Sequence, residues 1–282
     1  MSGHAHPEIL VTTDWVAEHS NDDGVCVVEV NVDTDLYDQG HIAGAVGWSW
    51  KTQLADGIQR DILSPADMSE LLSSSGIGPS TTVVLYGDSN NWFAAWAFWQ
   101  MKVYGHGDVR MMDGGRKKWE AEGRPLTADA VTPDRVEYGS VSADTSLRAL
   151  LPEVQAQVTD YAVELVDVRS PAEFSGEILA PPGLPETCQR GGHIPGAANI
   201  PWGKAVNDED GTFKTRDELV EVYGAAGITG DKPIITYCRI GERSSHSWVV
   251  LKYLIGYDNI KNYDGSWTEW GNLVGAPVER GS

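Results

Sequence analysis

The stretch of this chain best equipped for chemistry is Tyr237-Cys238-Arg239-Ile240-Gly241-Glu242-Arg243-Ser244, which directly follows the apolar run starting at Ile234. A buried strand is predicted to end at Tyr237, a loop to hold Cys238 through Arg243, and a helix to begin near Ser244. Backbone N–H groups of such a loop converge, and the helix behind adds its positive end. Gly241 supplies the positive φ that curls the loop, while Arg239 and Arg243 add fixed positive charge. Together these favour a thiolate, so the expectation is a lowered pKa for Cys238. The plainer reading, a cysteine filling core at a strand end, leaves the two arginines unexplained.

The elements that must position this loop occur twice. His41-Ile-Ala-Gly-Ala45 returns as His193-Ile-Pro-Gly-Ala197, 152 residues later. Val28-Glu-Val30 has a counterpart in Val166-Asp-Val168, and the run Thr82 to Tyr86 in Pro233 to Tyr237. From Tyr86 to Asp113 is 27 residues, as from Tyr237 to Asp264, so the two copies align there without a gap. Short β-branched runs (Val25 to Val30, Thr82 to Tyr86, Leu165 to Val168, Pro233 to Tyr237) have the length of buried parallel strands. Helices starting at Ser64-Pro65 and Thr215 alternate with them, the first with a capping serine and a proline at the first position. This predicts an α/β fold of two tandem domains, each a mostly parallel sheet covered by helices on both faces. The expected divisions are 1–126, a linker at 127–145, and 146–282. Ligands of such sheets bind beyond the carboxyl ends of the strands, where Cys238 falls. The first copy has Gly87, Asp88 and Trp92 where the second has Cys238, Arg239 and Arg243. One copy is thus expected to be catalytic and the other not. The second copy also carries about 14 extra residues, around Ile178 to Arg190, expected as a surface loop.

The remaining composition narrows the field. A formal net charge of −20 argues against nucleic-acid or anionic-membrane partners, and requires any site for an anion to be locally positive. No signal segment is visible and no apolar run is long enough to cross a bilayer, so a cytoplasmic location is expected. Cys26, Cys188 and Cys238 suit neither a disulfide framework nor a zinc site. Cys26 reads as a small apolar strand residue, Cys188 as an incidental loop residue. No metal or cofactor is expected.

With the duplication, the His-Ile-x-Gly-Ala element in each half and the Cys-Arg-Ile-Gly-Glu-Arg-Ser loop in the second, the chain resembles the two-domain rhodaneses, the thiosulfate sulfurtransferases, from about Val11 to Pro277. The resemblance implies that Cys238 takes the outer sulfur of thiosulfate, releases sulfite and holds a persulfide until cyanide or a thiol removes it. That thiol could belong to a small molecule or to a protein. Loop N–H groups would stabilise the persulfide, and Arg239 and Arg243 would attract the dianion, with Ile240, Gly241 and Glu242 completing the binding loop. Some relatives carry a further substrate-binding arginine a few residues after Arg169. This sequence has Glu173 there, and Arg190 is the candidate to compensate. Asp167 with Arg169 is expected either to brace the loop or to form a structural pair. His41 and His193 are expected to cap or turn the chain, and Trp267 either to wall the pocket or to sit in the core. The nearest rival is 3-mercaptopyruvate sulfurtransferase, whose loop is uncharged in the family pattern; two arginines suit a dianion better. A cysteine phosphatase would need its arginine at position 244, which is Ser244. A non-enzymatic sulfur-delivery protein is the third reading.

Overall fold

Residues 3–181, 183 and 188–281 are described by a computed structural model. The chain forms two compact units. One comprises Glu8–Asp144 with Val206–Phe213; the other comprises Thr145–Ala205, the chain from Lys214 onward, and the described residues up to Pro7. The stretch expected as a linker is laid along the first unit. Val136 N–H and Tyr138 N–H bond to Ser73, and Asp144 N–H donates to the Val103 carbonyl.

The first unit is built on β1 (Leu10–Val11), β2 (Val25–Glu29), β3 (Val46–Gly47), β4 (Thr82–Tyr86) and β5 (Val109–Met112). All pair in parallel, in the order β1-β5-β4-β2-β3. The second unit repeats this with β6 (Glu164–Asp167), β7 (Ala198–Asn199), β8 (Ile234–Tyr237) and β9 (Ile260–Tyr263), in the order β7-β6-β8-β9. A single parallel bridge between Arg148 and Asn262 stands where β1 lies in the first unit. The central strands are buried on both faces, as their near-continuous apolar sequences require. Helices start where their caps predict: Ser64 accepts from Asp67 N–H ahead of Pro65–Ser74, and Thr215 forms a capping box with Glu218 ahead of Arg216–Gly224. Among the described residues no helix is long and apolar enough to cross a membrane.

The repeated His-Ile-x-Gly-Ala element closes each copy. His41 exchanges two backbone hydrogen bonds with Thr127, and His193 exchanges two with Glu279. The Trp119 indole donates to the Pro125 carbonyl, and the Trp270 indole to that of Pro277. Each histidine ring also bonds the end of the preceding helix, His41 Nδ1 to the Tyr37 carbonyl at 2.9 Å and His193 Nδ1 to the Phe174 carbonyl at 2.8 Å, the capping role expected of them. Ile42 N–H donates to the Tyr86 hydroxyl and Ile194 N–H to the Tyr237 hydroxyl, tying the element to the central strand. Of the extra loop at Ile178 to Arg190, residues 182 and 184–187 lie outside the described residues.

Candidate active site

Strand β8 delivers Cys238 to the carboxyl edge of its sheet, and the helix Glu242–Val249 begins four residues later. The helix starts two residues ahead of the expected position, so Glu242 and Arg243 lie in its first turn rather than in the loop. Gly241 caps it with φ 100°, and a Cβ there would meet the Asp264 backbone at 2.6 Å. Only glycine fits both demands.

The cysteine is fully buried. Its Sγ accepts the Gly241 N–H at 3.2 Å, and its thiol donates to Glu242 Oε2 at 3.2 Å. This reverses the expected pKa direction. Burial pushes the Cys238 thiol up, and the Glu242 carboxylate adds to it; Arg243 and the Ser244 N–H pull the other way without prevailing. The positive charge counted along the sequence is matched in space. Arg243 is held by Glu173 through two bonds of 2.9 and 3.0 Å, and an Arg239 nitrogen lies 3.5 Å from Glu242. Burial opposes the Glu173 charge, but Arg243 and the Ser170 capping box hold its carboxyl below the usual range. Two guanidiniums and two carboxylates, all at most 4% exposed, surround a thiol. The cluster is formally neutral, not the positive basin the loop sequence suggested. Ile240, 9% exposed, is the least covered loop residue.

The loop rests on a polar scaffold that sequence reasoning missed. Cys238 N–H donates to the Ser266 hydroxyl at 3.0 Å, and that hydroxyl donates to the Tyr263 carbonyl at 2.7 Å. Ser266 is buried with φ 53°, a conformation costly for any residue with a Cβ. The Cys238 carbonyl accepts from Trp267 N–H, and that of Arg239 from Thr268. The Gly241 carbonyl accepts the Ser245 N–H at 3.1 Å and three side-chain donors: Ser244 Oγ at 3.1 Å, Ser245 Oγ at 2.8 Å and Asn262 Nδ2 at 3.0 Å. The gapless alignment could have exposed this scaffold. At these positions the first copy has Phe93, Ala94, Met111 and Gly115, so the polar residues accompany the thiol.

Other candidates have different work. The Arg190 guanidinium, proposed for substrate, donates to the carbonyls of Trp270, Gly271, Leu273 and Ala276, so it staples the C-terminal turn. Arg169 brackets Asp167, reaches the Gly192 carbonyl at 2.7 Å and lies over the Trp267 ring. Trp267 is 1% exposed and belongs to the core. The same bracket exists in the first unit, where Arg116 joins Glu29 to the Gly40 carbonyl. Cys188 is buried in the second core, its thiol 3.0 Å from the Arg190 carbonyl. Burial pushes Cys26 up to about 12 and raises Cys188 as well. In the first copy a Cβ on Gly87 would lie 2.1 Å from the Val30 carbonyl oxygen.

The model of the rhodanese-like domain family matches this chain twice, over residues 12–122 and 150–273. A Mycolicibacterium smegmatis protein, provisionally named a thiosulfate sulfurtransferase, is 55% identical over 279 residues, covering 99% of this chain and 100% of that protein. The sulfur carrier protein TtuD of Thermus thermophilus is 54% identical over 283 residues, covering 99% of both. Among solved structures, an enzyme of anaerobic ergothioneine biosynthesis from Chlorobium limicola superimposes with a TM-score of 0.86 at 26% identity, over 98% of this chain and 71% of that one. A structure of EanB bearing a cysteine persulfide gives the same TM-score and identity, over 99% of this chain and 72% of that one.

Proposed function

As a member of the rhodanese-like family of sulfurtransferases, this chain, we propose, moves the sulfane sulfur of thiosulfate to cyanide or a thiol through a persulfide on Cys238. The observation that carries the reading is the position of Cys238 itself. It ends the central strand with its sulfur facing loop N–H groups, while the first copy holds Gly87 at the matching place. Cys238 Sγ would form a bond to the outer sulfur of thiosulfate, and the S–S bond of the donor would break, sulfite leaving with the electron pair. The persulfide sulfur then faces the N–H groups of Gly241 and Ser244. An acceptor nucleophile takes the outer sulfur and returns the electrons of the S–S bond to Sγ, giving ping-pong kinetics. Ile240 and Gly241 shape the loop, Arg239 and Arg243 orient the donor within a neutral cluster, and Arg190 takes no part.

The kinship to a named sulfur carrier supports a second reading, in which the acceptor is a protein thiol and delivery is the physiological task. Cancellation of the loop charge favours it too, because the site is not tuned to small dianions alone. The test is intact-protein mass spectrometry after incubation with thiosulfate or with 3-mercaptopyruvate. A gain of one sulfur atom from thiosulfate, lost on adding cyanide and absent in Cys238→Ser, is the expected result. A gain from mercaptopyruvate alone moves the donor; a gain from neither refutes the enzyme.

A further inference from the structure

Glu242 is the side chain that the persulfide reading leaves without a task. It is fully buried, and its Oε2 lies 3.2 Å from the Cys238 sulfur while accepting the Ile240 N–H at 3.2 Å. A buried carboxylate beside a group that must become anionic is a costly neighbour. At the aligned position the first copy has a neutral side chain, on a left-handed backbone of φ 62°. It carries Asn91, whose side chain accepts the Gly87 N–H at 3.0 Å and donates to the Met112 carbonyl at 2.7 Å. A neutral amide satisfies the fold where there is no thiol, and a carboxylate appears where there is one.

We propose, resting on the persulfide reading above, that Glu242 is the general base that takes the Cys238 proton as sulfur is loaded and returns it as sulfur leaves. On loading, the thiol S–H bond breaks and the proton passes to Glu242 Oε2. Sγ bonds to the outer sulfur of thiosulfate, and sulfite departs with the electron pair of the donor S–S bond. On discharge, cyanide bonds to the outer sulfur, the persulfide S–S bond breaks, and Sγ recovers the proton from Glu242. The groups facing this carboxylate are Arg239 and Arg243 from its own segment and Glu173, through Arg243, from the helix Pro171–Ser175. Beyond Gly241 stands the ion pair of Asp264 with Arg148. At rest, two guanidiniums balance two carboxylates around a neutral thiol. When loaded, the same guanidiniums balance Glu173 and an anionic persulfide, with Glu242 protonated. A proton held on Glu242 keeps the buried cluster neutral in both half-reactions, so neither state contains an uncompensated charge.

The experiment is single-turnover sulfite release from thiosulfate, followed from about pH 6 to about pH 9 in wild type, Glu242→Gln, Glu242→Asp and Cys238→Ser. Loading by wild type is expected to vary little with pH. Glu242→Gln is expected to be slower by about 100-fold near neutrality, recovering tenfold per pH unit as the thiol ionises unaided. Glu242→Asp is expected to restore much of the loss. A Gln variant as fast as wild type, or faster, overturns the proposal, since mere repulsion of the thiolate predicts that result. A loss that does not recover with pH overturns it as well, marking a structural role. Absence of sulfite release from wild type removes the persulfide reading and this one together. Release that needs Cys238 but not Glu242 removes only this one.

Discussion

Ser266 permits a test in which stability and activity separate. It sits at φ 53°, and its hydroxyl holds the N–H of Cys238. Ser266→Ala keeps the left-handed backbone and removes the hydroxyl. The Cys238 N–H then stays buried without its acceptor, at a cost of about 1–3 kcal/mol. Ser266→Gly loses the same bond but relieves a conformation that costs about 1–2 kcal/mol in a residue with a Cβ. Greater freedom of glycine in the unfolded chain returns about 0.4–1 kcal/mol of that. Glycine should therefore be the more stable of the two variants by about 1 kcal/mol, although both fall below wild type. Their sulfur-loading rates should fall together, by about tenfold or more, because the start of the loop is released in both. Urea denaturation and single-turnover sulfite release read the two effects separately. An alanine variant as stable as the glycine variant refutes the strain. Unchanged loading in both refutes the claim that this hydroxyl positions the thiol.

Asn262→Met copies the residue of the first unit at the matching position; it should leave a folded chain whose loading rate is down about tenfold, since the Gly241 carbonyl loses one of its three side-chain donors. Normal single-turnover loading would count against the scaffold. Glu173 has a depressed folded pKa, so its stabilisation is complete above the unfolded carboxylate value of about 4.3 and is lost as pH falls through the folded value. Glu173→Gln should lower stability at neutral pH by about 3 kcal/mol and flatten the acid limb of a denaturation series; an unaltered limb would refute the linkage. His246 is fully buried, and burial lowers its pKa to about 3. The unfolded chain therefore binds the extra proton, and stability should fall by about 1.4 kcal/mol per pH unit below about pH 6.5. Urea midpoints in His246→Gln should lose that slope; a slope that persists assigns it to other groups.

The loop, the strand that ends at it and the duplication were legible because each is local or periodic. Gly241 announced its positive φ, and Ser64 and Thr215 announced their helices. The electrostatics were not legible, because Arg239 and Arg243 are adjacent in sequence to the thiol while Glu173 reaches Arg243 from 70 residues away. Counting loop charges without their partners gave the wrong sign for the Cys238 pKa. Glu242 was visible, but only its rotamer places the carboxylate on the sulfur. The partners of Arg190 were hidden for a similar reason, since the carbonyls it bonds belong to the C-terminal turn. The parallel pairing of the strands followed from their patterning; their order in the sheet did not. Assignment of Val206–Phe213 to the first unit depends on tertiary packing that no local signal carries.

The absent Cβ of Gly87 sets the first half apart from the second. A cysteine there would be driven 2.1 Å from the Val30 carbonyl oxygen, so restoring the thiol requires the neighbouring strand to move first. Three apolar residues and Gly115 would then have to become polar before the loop was held. The two halves thus share a sheet and differ in what stands at its carboxyl edge.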